Sequence, residues 1–353
     1  MRWQQQELTA EHPEALPGLG RLAGLVRTVR TPEFAGVTFH EVHCRSALNK
    51  VPGASPMPFT WTINPYRGCT HACRYCFARR THEYLEFDAG RDFDTQIVVK
   101  TNIGRVLRRE LGRPSWSGEH VAMGTNTDPY QRAEGRYALM PEIIRALADS
   151  GTPFSILTKG TVLSRDLPLL AAANRTVPVG VGVSLALLDP QLQSTLEPGT
   201  PSPQARLTLI RRITEAGLPC GVFIAPVLPY LTDSEEQLTA LVRAIAEAGA
   251  TGISGIALHL RPGAREWFFG WLQDYRPDLV PRYRELYAGG SNLRKELRGA
   301  VTRRVREICD GLGLGSFGQD VRGVPGSAES RFPDGSLPRR DAGREAGTQP
   351  SLF

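Results

Sequence analysis

Cys69, Cys73 and Cys76 stand in the run Asn64-Pro-Tyr-Arg-Gly-Cys-Thr-His-Ala-Cys-Arg-Tyr-Cys-Phe, spaced C-x3-C-x2-C with no fourth cysteine nearby. An iron–sulfur cubane normally takes four thiolates, one per iron. Three closely spaced thiolates therefore leave one iron open to a small ligand. An open position marks a reactive metal site, by the logic that separates catalytic from structural zinc. Zinc is the alternative, held by the three sulfurs with His71 or His82. Zinc spacings usually pair cysteines in two knuckles, however, and no second pair exists here. Three unliganded structural cysteines in one basic loop would be an odd use of a residue that is usually buried.

The loop must be carried by regular elements, and from Phe59 onward short β-branched runs alternate with helical ones, which argues for βα units and a parallel sheet. Six strands are expected at 59–64, 120–126, 153–159, 178–186, 219–227 and 252–260. Helices are expected near 102–112, 140–150, 166–174, 203–216 and 235–248. Gly151, Gly217 and Gly249 fall just past three of these helices, where C-terminal caps belong. In βα barrels the reactive groups collect at the carboxyl ends of the strands. Here strand one leads into the cysteine loop, strand two into Asn126, Thr127 and Asp128, strand three into Thr158 and Lys159. Strand four ends near Ser184, and strand six near His259 and Arg261. Alternation puts Ala122, Gly124, Asn126 and Asp128 on one face of strand two, and Gly180, Gly182, Ser184 and Ala186 on one face of strand four. Such small-residue faces mark close approach of a ligand or another backbone, and are expected to line the barrel interior and make room for a cofactor.

Cys69-x3-Cys73-Arg74-Tyr75-Cys76 resembles the signature of the radical S-adenosylmethionine (SAM) superfamily, in which an aromatic residue usually precedes the last cysteine. The wider text is similar to the spore photoproduct lyase-like branch at Asn64–Cys69, Thr127–Gln131, Leu157–Lys159, Arg165-Asp166, Glu197-Pro198 and Ala225–Pro229. The likeness extends over roughly residues 59–262. It implies an α/β fold, a partial (β/α)6 TIM-like barrel of the radical SAM type. It also implies a [4Fe–4S] cluster on Cys69, Cys73 and Cys76, SAM as cofactor, and an electron donor of flavodoxin or ferredoxin type. The implied reaction is reductive cleavage of SAM to methionine and a 5′-deoxyadenosyl radical, which takes hydrogen from a substrate that the motifs do not name. By the same resemblance Tyr75 lies near the adenine, Asn126, Thr127 and Asp128 near the methionyl amino group, and Lys159 contacts SAM. Ser184 is placed for a ribose hydroxyl. His259 and Arg261 share a strand face, so both can point inward toward substrate. One departure stands out. Spore photoproduct lyase carries a hydrogen-donor cysteine after strand two, where this chain has Thr125-Asn126-Thr127. A hydroxyl O–H bond is too strong to replace a thiol as hydrogen donor.

At 353 residues the chain suits one large barrel domain with extensions. Its 42 Lys+Arg against 36 Asp+Glu give a net charge of +6 and a pI near 9.1. So mild an excess permits a nucleic-acid partner without requiring one. Cys44, Cys220 and Cys309 form no pair or cluster, so neither a disulfide framework nor a second iron–sulfur site is indicated. No apolar run is long enough to span a bilayer and the start has no signal-peptide core, so a cytoplasmic protein is expected. Residues 1–58 read as an N-terminal extension packing on the barrel, 59–262 as its core, 263–317 as a helical segment, and 318–353 as a disordered tail rich in Gly, Pro, Ser and Arg. Besides a radical SAM enzyme of unknown substrate, two other functions fit the sequence: a DNA or nucleotide photoproduct repair lyase, and a non-catalytic iron–sulfur or zinc protein that binds nucleic acid or senses redox state.

Overall fold

Val, Ile and Phe recur in the short parallel runs of this chain, and most of those runs are followed by a helix with one apolar stripe that covers the outer face of the sheet. The computed structural model describes residues 6–8, 24–52, 57–312 and 332–338. The N-terminal part supplies β1 (Gln6–Leu8), β2 (Leu25–Arg30), β3 (Thr38–Val42) and β4 (Leu48–Lys50). Next come β5 (Trp61–Ile63), the cysteine loop with the short β6 (Tyr66–Arg67) at its entry, α1 (Arg91–Thr95), β7 (Gln96–Lys100) and α2 (Ile103–Leu111). The remaining units are β8 (Val121–Met123) with α3 (Arg132–Tyr137) and α4 (Met140–Asp149), β9 (Phe154–Thr158) with α5 (Leu167–Ala173), and β10 (Val179–Ser184) with α6 (Pro190–Leu196) and α7 (Pro203–Glu215). After β11 (Gly221–Val227), α8 (Glu235–Glu247) and β12 (Gly252–Ala257) follow α9 (Ala264–Tyr275), α10 (Val280–Leu286) and α11 (Lys295–Gly311).

Six parallel strands, in the order β5-β8-β9-β10-β11-β12, make the barrel sheet, and β4 adds antiparallel to β5 at its edge. The chain is α/β, an open partial barrel as expected. Each expected barrel strand and helix is present with its ends moved by a few residues, and Gly151, Gly217 and Gly249 sit at positive φ just past their helices. A second sheet has the order β1-β2-β3-β7-β6. It joins the N-terminal extension to the cysteine loop, because β3 pairs parallel with β7 and β6 pairs antiparallel with β7.

Three expectations need correction. Strand two stops at Met123, because the chain turns at Gly124 with φ of +86°. A Cβ there would stand 1.9 Å from the Leu157 carbonyl oxygen, so the small-residue face on that strand does not continue to Asn126 and Asp128. Strand six ends at Ala257, and Arg261 lies exposed beyond it rather than inside the barrel. The tail expected to be disordered contains a packed segment, residues 332–338, with Pro333, Gly335 and Ser336 buried. It occupies the space beside Gly180 that the small face of strand four was expected to keep for a cofactor. The other residues of 318–353 lie outside the described residues.

His82 marks the seam between this second sheet and the cysteine loop. Its Nε2 meets the Gln96 carbonyl at 2.9 Å, while its Nδ1 is buried without a hydrogen-bond partner among the described residues. Burial lowers its pKa to about 4. The folded state therefore binds this proton later than the unfolded chain, and stability drains as pH falls from about 6.5 to about 4, by up to ~3 kcal/mol. Denaturant unfolding of the metal-free protein across that window should show the loss, and His82→Gln should flatten the slope relative to wild type. Asp94, raised to about 6 by burial, runs the opposite way and is common to both proteins, so the difference isolates His82.

Candidate active site at the carboxyl ends of the barrel strands

The cysteine loop is held by backbone ties at almost every residue. Cys69 N–H donates to the Phe93 carbonyl at 2.9 Å, Arg74 N–H to Leu196 at 2.9 Å, and Gly199 N–H to His71 at 3.0 Å. Gln131 grips the loop from the other side, accepting from Thr70 N–H at 2.9 Å and donating to the Gly68 carbonyl at 3.0 Å. Gly199 must be glycine, since a Cβ would lie 1.9 Å from the Thr70 carbonyl oxygen. Arg79 is fully buried. It donates to the Cys73 carbonyl at 2.9 Å and to Asp94 at 2.9 Å, and lies over the Trp267 ring.

All three thiols are buried or half-buried. Burial pushes each of them up, and at Cys69 the neighbouring Asp128, Cys73 and Cys76 push further. Thiolates here need a cation's charge, which bound iron would supply. Among the described residues no three His, Cys, Asp or Glu side chains converge on one point as a single ion would require. A cubane, with one thiolate on each iron, does not require that convergence. The two histidines offered to zinc are engaged elsewhere. His71 Nδ1 lies 3.3 Å from Asp128 Oδ2, and His82 turns to Gln96.

Across the barrel mouth, Lys159 leaves the end of β9 and its Nζ meets Ser184 Oγ at 2.7 Å and Glu197 Oε1 at 3.1 Å, above the Tyr75 ring. Glu197 is wholly buried. It also accepts from the Tyr75 hydroxyl and, at 2.7 Å, from Arg206, itself wholly buried. Burial alone would raise the Glu197 carboxyl, but the Arg206 and Lys159 cations outweigh it and hold the group well below the usual carboxylate range. Arg206 donates its other arm to the Ser184 carbonyl at 3.1 Å. Glu197 thus links Tyr75 of the cysteine loop to Lys159 and, through Arg206, to strand β10. Sequence reasoning missed this pairing. Glu197-Pro198 stood among the matched pieces without a role, and Arg206 carried no local signature.

The other expected residues divide. Asp128 lies at the carboxyl end of the barrel but is fully used by protein groups: Tyr130 N–H at 2.8 Å, Thr158 Oγ1 at 2.5 Å, Lys159 N–H at 2.7 Å and His71. Thr127 is buried and donates to the Tyr66 carbonyl at 2.9 Å. Asn126 is half-buried beside them. His259 and Arg261 meet at the rim, with Arg261 Nε donating to His259 Nε2 at 3.1 Å. His259 Nδ1 pairs with Asn292 Oδ1 at 2.8 Å, and Arg261 lies over the exposed Phe77 ring.

The radical SAM superfamily domain matches residues 63–242, which covers the cysteine loop, Lys159, Ser184, Glu197 and Arg206. The chain belongs to the radical SAM superfamily. Uncharacterized proteins of Mycobacterium tuberculosis and Mycobacterium bovis are 62% identical over 312 residues, 87% of this chain and 92% of theirs. Among solved structures, spore photoproduct lyase complexed with dinucleoside spore photoproduct superposes with a TM-score of 0.58 at 16% identity, covering 79% of this chain and 80% of that one. That likeness is one of fold.

Glu197→Gln should leave Arg206 buried without its carboxylate and cost about 3–5 kcal/mol. A urea melt would register this as a lower midpoint. Replacing both partners, Glu197→Leu with Arg206→Met, should recover most of that loss. An unchanged midpoint in Glu197→Gln would show that the carboxylate is not the anchor described.

Proposed function

We propose that the protein is a radical SAM enzyme that cleaves SAM reductively and takes hydrogen from a substrate of unknown identity. The observation that carries this is the juxtaposition of three desolvated cysteines at the exit of β5 with the Lys159–Ser184–Glu197 constellation, linked to their loop through Tyr75. Cys69, Cys73 and Cys76 would each hold one iron of a [4Fe–4S] cluster. When bound, that cluster supplies the electron that splits SAM into methionine and a 5′-deoxyadenosyl radical.

The chain's own work is positioning. Lys159 pairs with Glu197 at 3.1 Å and Ser184 accepts from its Nζ at 2.7 Å, so the two present one fixed polar surface toward SAM. Tyr75 gives that surface an aromatic side at 5.7 Å from Nζ. Asn126 keeps the amino-group role. Thr127 and Asp128 support it from behind, since their own side chains are tied to the Tyr66 carbonyl and to the end of β9. His259 and Arg261, at the rim, face what enters from solvent and are the substrate-contact residues of this reading. A one-electron donor of flavodoxin or ferredoxin type and a reducing cytoplasm complete it. No helix among the described residues is long and apolar enough to cross a membrane.

Anaerobically purified protein should hold close to four irons, and Cys→Ala at any of the three positions should remove them while much of the fold persists. With dithionite it should turn SAM slowly into 5′-deoxyadenosine. Ser184→Leu should weaken SAM binding at unchanged iron content. Stoichiometric zinc without charge-transfer absorption would refute the assignment, and SAM bound but never cleaved under any donor would leave a sensor instead.

Repair of spore photoproduct is not part of this proposal, because Thr125-Asn126-Thr127 offers no thiol to the product radical. Wild type incubated with a photoproduct dinucleotide should return little thymidine, and Thr125→Cys should raise that yield measurably. Quantitative repair by wild type would contradict this.

A further inference from the structure

Residues 332–338, Phe-Pro-Asp-Gly-Ser-Leu-Pro, enter the barrel from the end opposite the cysteines. They form a tight turn in which Ser336 N–H donates to the Pro333 carbonyl at 3.0 Å, with Gly335 at φ +83° supplying the conformation that only glycine adopts readily. The register of the sheet explains how the turn is held. Gly182 pairs with Gly221, the first residue of β11, so the start of β10 extends below its neighbour. There the Val181 N–H donates to the Gly335 carbonyl at 2.9 Å. Thr251, just ahead of β12, donates to the Asp334 carbonyl at 3.0 Å.

Glycines on three strands make the space. A Cβ on Gly180 would come within 2.5 Å of Leu337 backbone, one on Gly221 within 2.7 Å of Ser336, and one on Gly252 within 2.3 Å of Asp334. Phe332 closes the side, its ring edge-on to Phe59 ahead of β5 and to Phe223 of β11, at 6.3 and 5.6 Å. The segment therefore crosses the interior from the first barrel strand to the last.

Its upper surface reaches the layer beneath the polar site. A Cβ on Gly182 would meet Leu157 at 3.1 Å, Phe223 at 3.3 Å and Ser336 at 3.5 Å. Ser184, which holds Lys159, is the next inward-facing residue on the same strand, roughly 6.6 Å higher. One layer of side chains separates the segment from the proposed SAM pocket. Without it the partial barrel would be open to water from below, directly beneath Ser184.

We infer that residues 332–338 are the floor of the cofactor cavity, a positioning element for the Gly182–Leu157–Phe223 layer that seals it from beneath. The inference rests on the reading of that cavity as the SAM site. The floor itself can be tested without SAM, and the two can fail separately. Hydrogen exchange on the full-length wild type should show protection at Val181 and across 332–338. Phe332→Ala, which removes one ring at the edge, should lower protection across 332–338 and weaken SAM binding to the iron-loaded protein about two- to fivefold. Gly335→Val, whose side chain would collide with Thr251 and Cys220, should abolish protection at Val181 and 332–338 and weaken SAM binding tenfold or more, with four irons retained. Free exchange of 332–338 in wild type would overturn the floor. So would loss of protection in either variant with SAM affinity within twofold of wild type. If Gly335→Val does not fold, Phe332→Ala decides on the same two readouts. Wild type that keeps its protection but binds no SAM would overturn the reading of the cavity, and with it the floor's role toward SAM.

Discussion

A single carboxylate, Glu197, sits at zero exposure between a buried guanidinium and a lysine ammonium, and the order of the barrel mouth follows from that placement. Removing such a charge from water is expensive unless every lone pair is met. Here Arg206, Lys159, Tyr75 and Thr200 meet them. Because these partners come from the cysteine loop, β9, the loop after α6 and α7, the carboxylate can be satisfied only when all four are in register. What looks like an ion pair is a geometric lock, and the polar groups that would face SAM are its visible edge.

The cysteine loop obeys a complementary rule. Most of its fixing runs through its backbone, with Tyr75 and His71 adding side-chain ties to Glu197 and Asp128. Gln131, Arg79, and the contacts with Leu196 and Gly199 bind amides and carbonyls rather than thiols. A loop positioned through its main chain can change the state of its sulfurs without losing its shape. The sheet behind it adds rigidity, because β6 and β7 tie the entry of the loop to β3 of the N-terminal extension.

Much of this was legible in residue order. The six barrel strands announced themselves as β-branched runs, and the cysteines by a spacing few other chemistries use. β7 was not, since Gln96-Ile-Val-Val-Lys runs almost directly into α2 and offers no turn to mark its end. The Glu197–Arg206 pair was hidden because the two stand nine residues apart on either side of a loop, a separation with no period to betray it. Asp128 was found but its ties to His71 and to the Lys159 N–H were not, as they arrive from the cysteine loop and the end of β9. The tail misled through composition. Gly, Pro and Ser read as disorder, whereas Pro333-Asp334-Gly335-Ser336 is also a turn signature, and only the glycines at the starts of three strands, far away in sequence, could have said where such a turn fits.

The position of that turn in the chain bears on biosynthesis. β12 ends at Ala257, and the segment that closes the barrel beneath it lies roughly eighty residues later. A ribosome adding about 5–20 residues per second takes several seconds to cover that stretch. For that interval every strand of the parallel sheet and all three cysteines have been synthesised, while the segment that fills the underside has not.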